Sequence, residues 1–213
     1  MKSRSLLALV LLAVAACRKD GPAAGPAQRP ARTDEGFGRK NARTIELGTF
    51  DVTSDRLIAG DPGCPLDGED AARTARPARR GSWKATVVRI DVDDWGTRNA
   101  ELIVVHSEAR GAPSWRRQPG TLGVDSGQVG VFDRPHYGDD TLVPKDHHWK
   151  DKPIDPKQPW YSLCCEQTLS QCGAGVVPFG AVSSSGIGDG GYDWFLWIER
   201  GELVGIKVLF LPE

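Results

Sequence analysis

Near its C-terminus the chain reads "YDWFLWIERGELVGIKVLFL", Tyr192 to Leu211, two apolar runs flanking the turn Glu199-Arg200-Gly201-Glu202. No other stretch constrains the fold as tightly. The runs are rich in aromatic and β-branched residues and share a Gly-containing turn, which specifies a β-hairpin. Apolar residues on both faces predict a central position, covered on each side.

Upstream, the dominant period is again two. "WKATVVRIDV" sets Trp83, Ala85, Val87 and Arg89 on one side and Thr86, Val88 and Ile90 on the other. "DDWG" interrupts, and "AELIVVHSEA" resumes the alternation, a second hairpin. "TIELGTFDVTSDRLIAGDP" alternates as far as Asp61-Pro62, and "TLGVDSGQVGVFD" predicts two short strands about Asp125-Ser126-Gly127. Only "YSLCCEQTLSQC", stopped by Gly173, has the pattern of a useful helix. Residues 63–82 and 133–159 read as long polar loops. The expected fold is mainly β: an antiparallel, sandwich-like single domain over residues 42–213 with one short helix.

The N-terminus carries an address rather than structure. "MKSRSLLALVLLAVAAC" has a basic start and an apolar run from Leu6 to Val14, too short for a helix spanning a bilayer of ~30 Å. "VAAC" resembles a bacterial lipobox, so residues 1–16 are expected to be a lipoprotein signal peptide and Cys17 the lipidation site. Acyl chains contributing ~0.8 kcal/mol per buried CH2 would hold the protein on a lipid bilayer. Arg18 stands where an inner-membrane signal would place Asp, which favours the outer membrane in a cell with two. The domain would then sit in the periplasm or at the cell surface. Residues after Cys17 to about 41 are Pro, Gly, Ala and charge without an apolar period, the composition of a disordered tether.

Removing residues 1–16 takes two of the 27 basic residues and none of the 28 acidic ones, leaving a net charge near −3. That balance gives no reason to expect nucleic acid as a partner. The remaining cysteines, Cys64, Cys164, Cys165 and Cys172, would lie in an oxidising compartment. Four thiols are enough for two disulfides; adjacent Cys164 and Cys165 exclude each other, so the expected pairs are Cys165–Cys172 and Cys64–Cys164. A continuous helix through Cys172 would separate the first pair by ~10 Å.

Three motifs in this order, "RLIAGDP", "GVDSGQVGVFD" and "FGAVSSSGIGDGGYDWFLWIERGELVGIKVLF", resemble the uncharacterised bacterial domain family DUF 4241. The matching residues are Asp61 and Pro62; Asp125, Gly127, Phe132 and Asp133; and Ser185, Gly186, Gly188, Asp189, Gly190, Tyr192 and Trp197. The likeness covers about residues 45–213, and residues 136–158 depart from it. It implies a shared β-rich fold and no activity.

The chemistry of the motifs narrows the function further. The glycines of "SGIGDGG" lead into a strand, whereas a phosphate loop leads into a helix N-terminus. Asp189 and Asp193 supply too few oxygens for calcium. The expected role of this loop is a shaped turn in which Gly186, Gly188, Gly190 and Gly191 take positive φ and Asp189 caps nearby amides. "VDSG" occurs once, and aspartic-protease chemistry needs two such carboxylates. "DVDDWG" has Leu102 where an EF-hand needs its Glu. His136, His147 and His148, with Asp139, Asp140 and Asp146, are the densest set of metal-ligand types, although adjacent histidines point apart in extended chain. Asp61, Asp125, Asp189, Tyr192 and Trp194 form a candidate binding rim. Two readings follow. The first is a non-catalytic binding or structural module at the cell envelope, engaging another envelope protein and needing no cofactor. The alternative is a metal-dependent or hydrolytic enzyme using the 136–148 loop and Asp189.

Overall fold

A computed structural model describes residues 41–66, 72–73, 77–151 and 153–212. The expected signal peptide, Cys17 and nearly all of the tether lie outside them. Strands β1 (Arg43–Val52) and β2 (Leu57–Gly60) open the domain, followed by the two-residue β3 (Ala72–Arg73). The "DDWG" hairpin joins β4 (Gly81–Val92) to β5 (Gly96–His106). Short strands β6 (Trp115–Arg117) and β7 (Leu122–Val124) precede the fully buried β8 (Gln128–Asp133). Helix α1 (Pro159–Thr168) then leads to β9 (Ala174–Val177) and β10 (Gly180–Ser184). The hairpin of β11 (Gly190–Glu199) and β12 (Glu202–Leu209) closes the chain.

The strands form two antiparallel sheets, so the expected β-sandwich is present. The larger runs β1-β4-β5-β12-β11-β6, with β7 continuing beyond β6 along the edge of β11; the smaller runs β3-β2-β8-β10-β9. The C-terminal hairpin is indeed central in the larger sheet. Between the sheets lies one core, to which Trp83, Val87, Leu102, Val104, Trp194 and Ile206 come from the larger sheet and Leu57, Val129, Val131 and Ala181 from the smaller.

Period two runs through "TIELGTFDV" and "RLIAG" as one alternating stretch and reads "TLGV" and "GQVGVFD" as a pair of short strands. The structure instead sends each pair into different sheets: β1 to β2 and β7 to β8 are crossings of the sandwich, as is β10 to β11. Helix α1 ends at Thr168, earlier than the apolar pattern suggested, and packs on the outside of the smaller sheet. There Trp160, Leu163 and Cys164 meet Phe132, Val177 and Val182. Phe132 lies flat on its own sheet. A Cβ at Gly130 would come within 2.1 Å of its ring and one at Gly180 within 2.4 Å.

Candidate functional site

The three motifs meet at one end of the sandwich. Strand β2 pairs with β8 so that Gly60 faces Gly130, which brings Asp61 against the β7–β8 crossing. Asp61 is 3 % exposed, a charge that must be compensated inside the fold. Its Oδ1 accepts from the Gly63 amide at 2.7 Å and the Ser126 hydroxyl at 2.5 Å. Its Oδ2 accepts from the Asp125 and Ser126 amides at 2.8 and 2.7 Å. Four charge-assisted bonds occupy the carboxylate. The Ser185 amide donates to the Gly127 carbonyl at 2.9 Å, joining the second motif to the third, and β7 pairs with β11 from Val124 opposite Gly190.

The glycine loop itself is closed by its carbonyls. Ser185 and Tyr192 hydroxyls both donate to the Gly188 carbonyl at 2.6 Å. Gly186, Gly188 and Gly190 have φ of +71°, +109° and +150°, while Gly191 does not take positive φ, correcting one of the four expected positions. Asp189 is exposed and makes none of the loop's hydrogen bonds among the described residues, so the expected capping role passes to Ser185 and Tyr192.

The candidate rim therefore divides. Asp125 and Asp189 are exposed, whereas Asp61 is a buried tie, and Tyr192 and Trp194 belong to the core between the sheets. The reason is register: Trp194 pairs with Val208, which faces inward. Burial pushes the Tyr192 phenol up, with Asp189 adding to the effect.

Beneath Asp61 sits a layer that the sequence did not point to. Tyr137 donates to the carbonyls of Asp61 and Cys64 at 2.7 and 2.6 Å. Burial, then the charge of Asp61, drives its phenol far above the ordinary range. Tyr161 reaches Cys165 and Ser126 from α1, and burial again raises its phenol. Burial also raises the thiols of Cys164 and Cys165, against the hydrogen bonds that Gln128 and Tyr161 give Cys165. Neither thiol is poised as a nucleophile, which requires a depressed pKa. An Asp directly after the apolar "LIAG" run was the available signal for this layer, since so apolar a strand end has little room for a solvated charge.

Among the described residues no two of Cys64, Cys164, Cys165 and Cys172 are joined in a disulfide, contrary to the two expected bridges. Helix α1 turns Cys165 towards Gln128, whose amide donates to Sγ at 3.3 Å. Cys172 lies past the helix end, its Sγ 3.1 Å from the Ala174 carbonyl. Cys164 is enclosed with Trp160 and Val182, while Cys64 sits half-buried in the turn after Asp61.

At the opposite end of β8, Asp133 does for the β1–β2 crossing what Asp61 does for β7–β8. It is fully buried, and its Oδ2 accepts from the Thr53 amide and hydroxyl at 2.7 Å and from the Ser54 amide at 3.2 Å. The Ser54 hydroxyl donates to its Oδ1.

The histidines are not gathered. His136 stacks on Phe179 with Nε2 3.1 Å from the Thr53 hydroxyl, His147 pairs with Glu166 at 3.0 Å, and His148 is exposed. Among the described residues no three His, Cys, Asp or Glu side chains are grouped as a metal centre would need. No family model matches the chain, and neither curated proteins nor solved structures yield a significant similarity.

Proposed function

We propose that this is an exported bacterial lipoprotein, acylated at Cys17, whose β domain is a non-catalytic binding or structural module at the cell envelope. The observation that carries the reading is the use made of Asp61. The buried acid of the first motif directs its carboxylate to four internal donors, and the thiols beside it are raised rather than activated. A catalytic acid or base needs a free position facing substrate. The motifs thus serve to fix three loops at one end of the sandwich, and exposed Asp125 and Asp189 are what that end offers a partner.

Two measurements test this. Labelled palmitate should mark the wild-type protein and not Cys17→Ala; equal labelling of both removes the anchor. Cross-linking on intact cells should then join the domain to a discrete envelope protein, with less product for the Asp125→Ala, Asp189→Ala double variant. A metal-dependent turnover that survives purification and vanishes with Asp189→Ala would replace the binding reading with the enzymatic one.

A further inference from the structure

We propose that the hollow between helix α1 and residues 149–151 and 153–154 is a socket for a lysine side chain of a partner protein, an inference that rests on the binding-module reading. The hollow measures about 80 Å³ and lies between Trp149, Ile154 and Leu169, with Glu166 in its wall. Small-molecule sites usually enclose ~300–1,000 Å³, so this one suits a single side chain.

Its lip is apolar and open. Leu169 is 77 % exposed and Ile154 45 %, two of the four large hydrophobic side chains left exposed among the described residues. Both border the same hollow. An isolated exposed leucine needs no explanation, but two around one hollow indicate a covered state.

The wall supplies the charge. Glu166 Oε2 lies 3.0 Å from His147 Nε2, and Oε1 accepts from the Lys150 amide at 2.9 Å. A carboxylate offers about four acceptor positions, so about two remain. Burial opposes its ionisation, and the Lys150 amide and the His147 ring outweigh it, keeping the carboxyl below its ordinary pKa. Asp151 adds a second acid to the lining, and Lys150 touches Glu166 through its backbone amide. Aliphatic walls ending in a carboxylate match a four-carbon stem ending in an ammonium. Arginine's wide planar guanidinium fits a narrow hollow less well. The Trp149 indole, edge-on to His147 at 4.4 Å, gives the stem or the ammonium an aromatic surface.

The experiment compares N-acetyl-lysine amide with its uncharged counterpart, N-acetyl-norleucine amide, on the mature protein in detergent micelles. NMR shifts of the Trp149 indole N–H and the Leu169 methyls report binding. The lysine amide should shift both and bind several-fold more tightly than the norleucine amide. Glu166→Gln should abolish that preference. Leu169→Ser, a change at an exposed site that leaves the fold alone, should weaken both probes by roughly fourfold or more, the equivalent of one buried methylene. Equal binding of the two probes, or no shift at Trp149 and Leu169, overturns the socket. Cross-linking to an envelope protein that persists in Leu169→Ser would sink this inference alone. A working socket on a protein that cross-links to nothing would sink the wider reading.

Discussion

Asp61 and Asp133 are the two side chains on which the sandwich turns, and their surroundings differ in a way that can be tested. Both are buried carboxylates receiving four hydrogen bonds. An amide in place of Asp61 must aim its NH2 at backbone N–H groups, because both oxygens accept from amides. In place of Asp133 it has an alternative. Among the described residues the Oδ1 side meets only the Ser54 hydroxyl, which can rotate to accept. Asp61→Asn should therefore cost roughly 2–4 kcal/mol and Asp133→Asn about 1 kcal/mol, from the asymmetry between a lost bond and a buried unsatisfied donor. Urea unfolding of the two variants measures the order; an Asp133→Asn protein weaker than Asp61→Asn contradicts the assignment of these bonds. The sequence named both residues as motif positions. Their role could not be read from it, because the donors lie 64 and 65 residues away from Asp61 and 79 and 80 from Asp133.

At the scale of elements, the glycine loop between β10 and β11 is held by backbone conformation. Gly188 at φ +109° and Gly190 at φ +150° occupy a region that side chains rarely enter, and a Cβ at either would meet nothing within 4 Å. The cost of a substitution there is consequently strain alone, on the order of 1–3 kcal/mol. Asp189, exposed and outside the loop's hydrogen bonds, should tolerate Asn within ~0.5 kcal/mol. Gly188→Val is thus expected to lower the melting temperature clearly and Asp189→Asn hardly at all. A strong thermal effect of Asp189→Asn would restore the carboxylate as a structural cap.

The segment 144–158 shows a different kind of fastening. Glu166 on α1 ties it through His147 and the Lys150 amide. Its carboxyl is held below the ordinary value, so the folded state favours its charged form. The tie is at full strength above the unfolded pKa of ~4.3 and is lost as pH falls through the lower folded value. In acid titrations of stability, Glu166→Gln should show a shallower decline below pH ~4.3 than the wild type. Identical acid limbs would mean that the carboxylate contributes nothing there. Period-two reading left this segment a polar loop, which it is; its attachment to α1 follows from a histidine and a glutamate 19 residues apart, a spacing no local pattern marks.

For the whole molecule, local pattern was a good guide to strands and a poor one to sheets. The β4–β5 and β11–β12 hairpins were legible because their partners adjoin in sequence. The four crossings between sheets, β1 to β2, β3 to β4, β7 to β8 and β10 to β11, were not, since a strand's alternation is the same whichever sheet receives it. The cysteines mark the same boundary from another side. Even number and compartment argued for bridges, yet the fold buries Cys164 and Cys165 on one helix and leaves Cys64 and Cys172 on separate turns. A domain of about 170 residues can bury enough surface to stand without cross-links. Removing a disulfide from a secreted domain typically costs 2–5 kcal/mol, so the two possibilities separate sharply. The urea midpoint of the purified protein should be the same with and without reductant. Iodoacetamide should label Cys64 and Cys172 in the folded protein, and Cys164 and Cys165 only after unfolding, because burial both hides these two thiols and raises their pKa. A midpoint that falls when reductant is added, or thiols that resist alkylation even in denaturant, would mean that the chain is cross-linked after all.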